Sequence, residues 1–232
     1  MNEPAGPASD GISLASAIQG TETLIREKPI VVHSQRILHP EKWRKSAVMY
    51  QQWRLVNGKE LFNLADDPSQ SHDVASEQSA LVQELRDAYD AWWDSLQPAI
   101  QRTIHVEIGS EHEPEARLTA HDWLLDNTPW HQNAIRNGAP QSGPWAVRVL
   151  QPGKYRIVLS RWPRHLQQSM EANSIQLRIQ GQTISKTLTK GDTSAEFEVQ
   201  LEPGETRLES TLAATTANNA ALYAYISLLE AN

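Results

Sequence analysis

Hydrophobic positions along this chain change their period once. Leu81, Leu85, Ala88, Trp92 and Leu96 recur every three or four residues, with Val82, Tyr89 and Trp93 widening the stripe, which predicts an amphipathic helix laid on a sheet. From about residue 104 alternation takes over. Tyr155, Ile157 and Leu159 fall on one face of a predicted strand and Arg156, Val158 and Ser160 on the other, and Ala146, Val147 and Val149 flank Arg148. Pro98 is read as the stop of the helix, and the change of period places a boundary at 98–103.

Before the helix, Asp10-Gly11-Ile12-Ser13-Leu14 reads as a turn into a short helical segment at 15–20, and Ile30-Val31-Val32-His33 as a β-branched strand bounded by Pro29 and Ser34. Residues 46–56 read as one longer strand ending at Asn57-Gly58, a dipeptide whose tolerance of positive φ suits a two-residue hairpin. The return strand, 59–64, ends at Asp66-Asp67-Pro68. The helix is expected to begin near Ser76 or Gln78, with Ser76 as N-cap and Glu77 close to the positive end of the dipole.

Beyond the boundary, strands are expected at 104–108, 116–119, 145–150, 155–161, 175–180, 183–188, 195–201, 206–211 and 222–228. Gln151-Pro152-Gly153, Gln180-Gly181-Gln182, Lys190-Gly191-Asp192 and Pro203-Gly204 separate several of them. Many short strands with no helical pattern between them indicate an antiparallel sandwich or jelly roll. The fold class expected is α+β: a disordered start at 1–9, a small antiparallel sheet with a packed helix at 10–97, a linker at 98–103 and an all-β sandwich at 104–232. A long loop at 128–143 is the place on such a sandwich where a binding surface is often carried.

The 232 residues suffice for two modest domains. A net charge of −7 is spread through the chain without a basic cluster, which disfavours nucleic acid as a partner. Cysteine is absent, which removes disulfides, thiolate metal sites and a cysteine nucleophile. No apolar stretch approaches the roughly twenty residues of a membrane-spanning helix, and MNEPAGPASDG lacks the basic start and apolar run of a signal peptide. Localisation stays undetermined by the sequence.

Eight Trp against two Phe is an unusual balance, because the indole ring both fills cores and stacks on sugar rings. Trp123, Trp130, Trp145 and Trp162, with Arg161 and Arg164, suggest a carbohydrate-binding face; alternation turns Trp145 inward and leaves Trp130, on the loop, as the better exposed candidate. The eight His show no H-E-x-x-H spacing, and no G-x-S-x-G is present. Asp66-Asp67 and Asp126-Asn127 read as turns whose side chains bond their own backbone. No metal ligand is assigned.

The order of hairpin, Asp-Asp-Pro turn and helix at 54–64, 66–75 and 78–93 resembles the closing C-terminal end of the sulfatase family, and the segment at 10–20 resembles its "DGxSLxxxLxG" run. Ile108-Gly109-Ser110, 118–123, 143–163, 197–212 and 221–226 are similar to a β-sandwich that a subset of bacterial sulfatases carries after that end. The resemblance implies hydrolysis of sulfate esters, on sulfated carbohydrates, through a formylglycine made from Cys or Ser in a C/S-x-P-S-R motif beside a Ca²⁺ or Mg²⁺ held by Asp and Asn oxygens. This chain has no Cys and no Ser followed by x-Pro-Ser-Arg. The expectation is a catalytic part that precedes residue 1, no cofactor held by this chain, and no activity by the chain alone. Because loops of the sulfatase C-terminal subdomain border the sulfate pocket, the resemblance makes Arg36 and His39, in the His33-Ser34-Gln35-Arg36 cluster, candidates for substrate contact. Partners implied are a separately encoded sulfatase N-terminal portion or a second copy, and a sulfated glycan; the family is often periplasmic or secreted. The alternative is a non-enzymatic carbohydrate-binding or structural accessory module.

Overall fold

The computed structural model describes residues 11, 13–21, 28–35, 37–129, 131–137, 142–214 and 220–231, so the expected disordered start at 1–9 lies outside the described residues. Among the described residues the chain is mostly β, with three sheets and one long helix, and it divides into two compact units, Met1–Gln35 with Glu41–Gln97 and Arg36–Pro40 with Pro98–Asn232.

In the first unit the short helix α1 (Ala15–Ile18) precedes four strands, β1 (Ile30–His33), β2 (Ser46–Tyr50), β3 (Trp53–Val56) and β4 (Glu60–Asn63), paired in chain order as an antiparallel meander. The single strand expected at 46–56 is therefore two. The chain reverses at Gln51-Gln52, where Gln51 takes φ 50° and Tyr50 faces Trp53. Two glutamines carry no turn signal, and a left-handed residue costs about 1–2 kcal/mol. The reversal puts Val48 opposite Leu55, both fully buried, and burying such a pair at about 1.5–3 kcal/mol each outweighs that cost. The next hairpin forms as expected, with Asn57 at φ 48° and Gly58 at φ 67°. The Asn57 side chain also accepts the Ser46 N–H at 3.0 Å. A Cβ on Gly58 would lie 2.8 Å from the Trp43 ring.

Helix α2 (Ser79–Ile100) covers one face of this sheet with Val82, Leu85 and Tyr89 buried, while Leu81, Trp92 and Trp93 flank them half-buried. The buried line thus runs beside the expected Leu81–Leu85–Ala88 stripe. Ser76 is not the cap, since Val74 O receives the Glu77 and Gln78 N–H groups in a turn and the first helical bond runs from Val82 N–H to Gln78 O at 3.0 Å. Pro98 does not stop the helix, because it falls in the last turn, where its missing N–H deprives only the Asp94 carbonyl of a partner. Ser95 Oγ and Gln97 Nε2 donate to the carbonyls of Trp92 and Trp93 at 2.6 and 3.2 Å.

The second unit holds β5 (Val106–Ile108), β6 (Glu115–Thr119), β7 (Trp145–Val149), β8 (Gly153–Ser160), β9 (Ala172–Ile179), β10 (Gln182–Thr187), β11 (Ala195–Leu201), β12 (Gly204–Ala214) and β13 (Tyr223–Ala231). They form a five-stranded sheet, β10-β9-β12-β7-β5, and a four-stranded sheet, β11-β8-β13-β6. Inward residues of both, among them Trp145, Val147, Leu177 and Leu208 from one and Ile157, Leu159, Phe197 and Ile226 from the other, merge into one core. That is a sandwich. It is antiparallel except that β5 runs parallel to β7, a departure from the all-antiparallel expectation. Its long loop contains a short helix, α3 (Gln132–Arg136). The Tyr155 hydroxyl, buried among these side chains, donates to Gln151 O at 2.7 Å and leaves no room for a Cβ on Gly109, which would fall 2.1 Å from it.

Candidate functional site

Two of the three side chains proposed from sequence for ligand contact, Arg36 and Trp130, lie outside the described residues. His39 is exposed in a bend between β1 and β2. Their neighbour His33 is instead part of the packing of the first unit. Gln35 is oriented by the Glu41 backbone, its Oε1 accepting the N–H at 2.7 Å and its Nε2 donating to the carbonyl at 2.6 Å; the second Nε2 hydrogen then points at His33 Nδ1, 3.1 Å away. Nδ1 accepts, so the ring proton sits on Nε2 and is donated to the Tyr89 hydroxyl oxygen at 2.7 Å. That oxygen also accepts the Trp43 N–H at 2.8 Å, and the Trp43 and Tyr89 rings stack at 3.5 Å. Burial holds the His33 pKa below its ordinary value and pushes the Tyr89 phenol up. With both ring nitrogens engaged, His33 has no free position from which to act as a base.

Asp66-Asp67 forms a turn, as expected, while Asp126-Asn127 lies in a bend. Asp67 accepts the Ser71 and His72 N–H groups at 2.7 and 2.8 Å and the hydroxyls of Ser69 and Ser71, and the His72 N–H leads in holding its pKa low. Asp66 accepts from Asn63 Nδ2 at 2.6 Å. Among the described residues no group of three or more His, Cys, Asp or Glu is placed to hold a metal ion.

The Trp residues of the sandwich divide by position. Trp123 and Trp145 are buried, with Trp145 Nε1 donating to Thr119 O at 2.6 Å. Trp162 is different. It follows β8, where Arg161 is buried and bonds Ile135 O at 3.0 Å, tying the start of this segment to α3. Burial lowers the Arg161 pKa, and its guanidinium lies 5.2 Å from the Trp162 ring. The half-buried Trp162 side chain anchors the loop that follows by donating Nε1–H to Ser169 O at 3.2 Å.

That loop folds back beside the outer face of the four-stranded sheet and encloses a hollow of about 40 Å³. Its floor is Val158 and Tyr225, cross-strand partners on β8 and β13. One wall is Trp162, Pro163 and Arg164, continued by Gln167 and Gln168; Thr193 and Ser194, just before β11, form the other. Two non-glycine residues in this stretch, Gln167 at φ 47° and Glu171 at φ 51°, hold left-handed conformations. Such backbone persists where surrounding contacts impose it, and it concentrates at ligand sites.

Arg164 is fixed from three sides. Its guanidinium lies 3.8 Å from the centre of the Tyr225 ring, its two terminal nitrogens donate to the two Glu115 carboxylate oxygens at 3.0 Å each, and its N–H donates to the Tyr225 hydroxyl at 3.2 Å. The bond to Glu115 is the main cause of its raised pKa. Gln167 Nε2 donates to Arg164 O at 2.6 Å, whereas the side chains of Gln168, Thr193 and Ser194 have no hydrogen-bond partner among the described residues. The hollow thus combines an aromatic floor and wall with unengaged amide and hydroxyl groups. A volume of this size, against the roughly 300–1,000 Å³ of a cleft that buries a small molecule, admits the edge of a ring and leaves the rest in water.

Sequence pattern had picked out Trp162 and Arg164 but not the other members. Tyr225 was legible, since in Tyr223-Ala224-Tyr225-Ile226 alternation sends the tyrosines to the face opposite the core. Gln168, Thr193 and Ser194 sit in connections whose course no periodicity fixes.

No family model matches this chain, and no curated protein matches it. Among solved structures it is similar to a CBM35 from Cellvibrio japonicus Abf62, at 18% identity over 46% of this chain and 73% of that one, with a TM-score of 0.30. A ruminal GH26 endo-beta-1,4-mannanase is 14% identical over 50% of this chain and 26% of that one, with a TM-score of 0.32, and pika GITRL is 18% identical over 50% and 95%, with a TM-score of 0.26. The sandwich rests on its own sheet pairing.

Proposed function

We propose that this chain is a non-catalytic accessory region of a carbohydrate-directed hydrolase of the sulfatase type, in which the sandwich holds a polysaccharide. The observation that carries the binding role is the hollow on the sandwich, where Trp162 and Tyr225 border amide and hydroxyl groups that bond no other side chain or backbone group among the described residues. Sugar recognition combines these two chemistries, an apolar ring face for C–H groups and fixed polar groups for hydroxyls. The sulfatase-type assignment draws support from the order of the Asn57-Gly58 hairpin, the Asp66-Asp67-Pro68 turn and the amphipathic helix. In that assignment the formylglycine and its cation belong to another stretch of polypeptide.

Two measurements test the reading together. Incubated with Ca²⁺ and a chromogenic aryl sulfate, the protein gives no turnover; hydrolysis that follows the protein through purification would overturn the non-catalytic assignment. In native gels cast with polysaccharides, neutral and sulfated, its migration is retarded in at least one; unchanged mobility in all of them would overturn the binding role.

A further inference from the structure

We infer that the hollow beside Trp162 takes a neutral, hydroxyl-bearing sugar ring and rejects a sulfated or carboxylated one, an inference that rests on the carbohydrate-binding reading above. The argument is one of charge and of which groups remain free. Among the residues that line the hollow, Arg164 carries the one formal charge. Both of its terminal nitrogens are already bonded to Glu115, and its face lies on the Tyr225 ring. A bidentate arginine–carboxylate pair presents little net charge to a third group. A sulfate entering beside it would meet the Glu115 carboxylate at close range, with no second lining cation to offset the repulsion.

What remains free is neutral and suited to hydroxyls. The Gln168 amide offers two donors and an acceptor, and the Thr193 and Ser194 hydroxyls each offer both roles, so the two walls can bond a vicinal diol from opposite sides. Val158 and Trp162 supply the apolar surface for the ring's C–H groups, since Tyr225 is buried and carries the Arg164 guanidinium on its face. The loop carrying Gln167 and Gln168 is held in place before any ligand arrives, by the Trp162–Ser169 and Gln167–Arg164 bonds. Preorganisation of this kind reduces the ordering cost of binding.

The full chain, labelled with ¹⁵N, is titrated with hexasaccharides of neutral β-linked glucose, mannose and galactose and with O-sulfated galactose hexasaccharides. The expected result is a shift of the Trp162 indole and Gln168 side-chain amide signals with a neutral ligand, at an affinity that added NaCl leaves unchanged. Gln168→Ala and Ser194→Ala, both at exposed positions, each weaken that binding about threefold or more, as loss of one net hydrogen bond does. Glu115→Gln unmasks the Arg164 charge and lowers the neutral-to-sulfated preference about fivefold or more, on the scale of one charge-assisted contact. Binding of the sulfated ligands alone, at these signals, would overturn the neutral preference while leaving the carbohydrate-binding reading intact. Neutral binding that shifts other signals and ignores both alanine substitutions would place the site elsewhere and overturn this inference alone. No binding to any ligand would remove both.

Discussion

The two units solve the same problem, burial of a sheet face, by different means. The sandwich closes two sheets over a broad aliphatic core in which Val147, Ile157, Leu159, Leu177 and Leu208 are each fully buried. The smaller unit has few such side chains, Val48, Leu55, Leu61 and Leu85 foremost, and completes its core with Trp43, Tyr89, Trp92 and Trp93 around His33. Its polar atoms must therefore be satisfied inside the cluster, and the Tyr89 hydroxyl serves two donors at once. Aliphatic burial is non-directional and tolerates small shifts. A core knitted by hydrogen bonds depends on geometry and on protonation.

The largest expected effect is on the aliphatic side. Leu177→Ala removes a fully buried side chain from the middle of β9 and is expected to destabilise the sandwich by about 2–5 kcal/mol, read from the shift of its urea midpoint. A loss below about 1 kcal/mol would mean that the two sheets close over the gap, and that this core is looser than its burial implies.

The directional core is tested by two matched substitutions. Tyr89→Phe keeps the ring but leaves both the Trp43 N–H and the His33 Nε2–H without an acceptor, at a cost of about 1–3 kcal/mol for an unsatisfied buried donor. Tyr155→Phe in the sandwich removes a single donated bond, to Gln151 O, and is expected to cost about 0.5–1.5 kcal/mol. Equal losses in the two variants, measured by chemical denaturation with probes specific to each unit, would erase the contrast between the cores.

The sequence showed the sandwich more fully than the small unit, and the difference follows from the same contrast. Nine strands were legible because alternation over three to eleven residues, as in Ala195-Glu196-Phe197-Glu198-Val199-Gln200-Leu201, repeats the same buried-exposed signal. In the small unit the elements were seen but their junctions were misplaced. The reversal at Gln51-Gln52 carries no glycine or asparagine, and it is imposed by the pairing of Val48 with Leu55, a contact that local pattern does not contain. Pro98 misled in the other direction, since its penalty is small in a last turn. The candidate site was half legible: Trp162 and Arg164 stood out by residue type, while the loop that brings Gln168 toward Thr193 is fixed by the Trp162–Ser169 bond and by left-handed Gln167 and Glu171. The sulfate-contact pair, Arg36 and His39, rested on the family resemblance, and within the described residues His39 stands exposed.

The smallest expected effect is also the one that separates the cores by pH. Burial keeps the folded pKa of His33 below the ordinary value of about 6.5, so in the window between the two the unfolded chain binds a proton that the folded unit refuses. Stability contributed by neutral His33 is present above the unfolded value and is lost as pH falls through the folded one. Protonation would place a hydrogen on Nδ1, where Gln35 Nε2 already donates, so the charged ring also meets a donor facing a donor. The urea midpoint of the small unit is therefore expected to fall between neutral pH and about pH 5, a window set by that ordinary histidine value, while His33→Gln flattens the dependence. The sandwich, whose Tyr155 phenol is pushed up by burial and does not titrate in that range, should hold its midpoint more nearly constant. A parallel decline of both units, unaltered by the substitution, would assign the pH dependence to the exposed carboxylates and leave His33 a packing residue whose charge state does not matter.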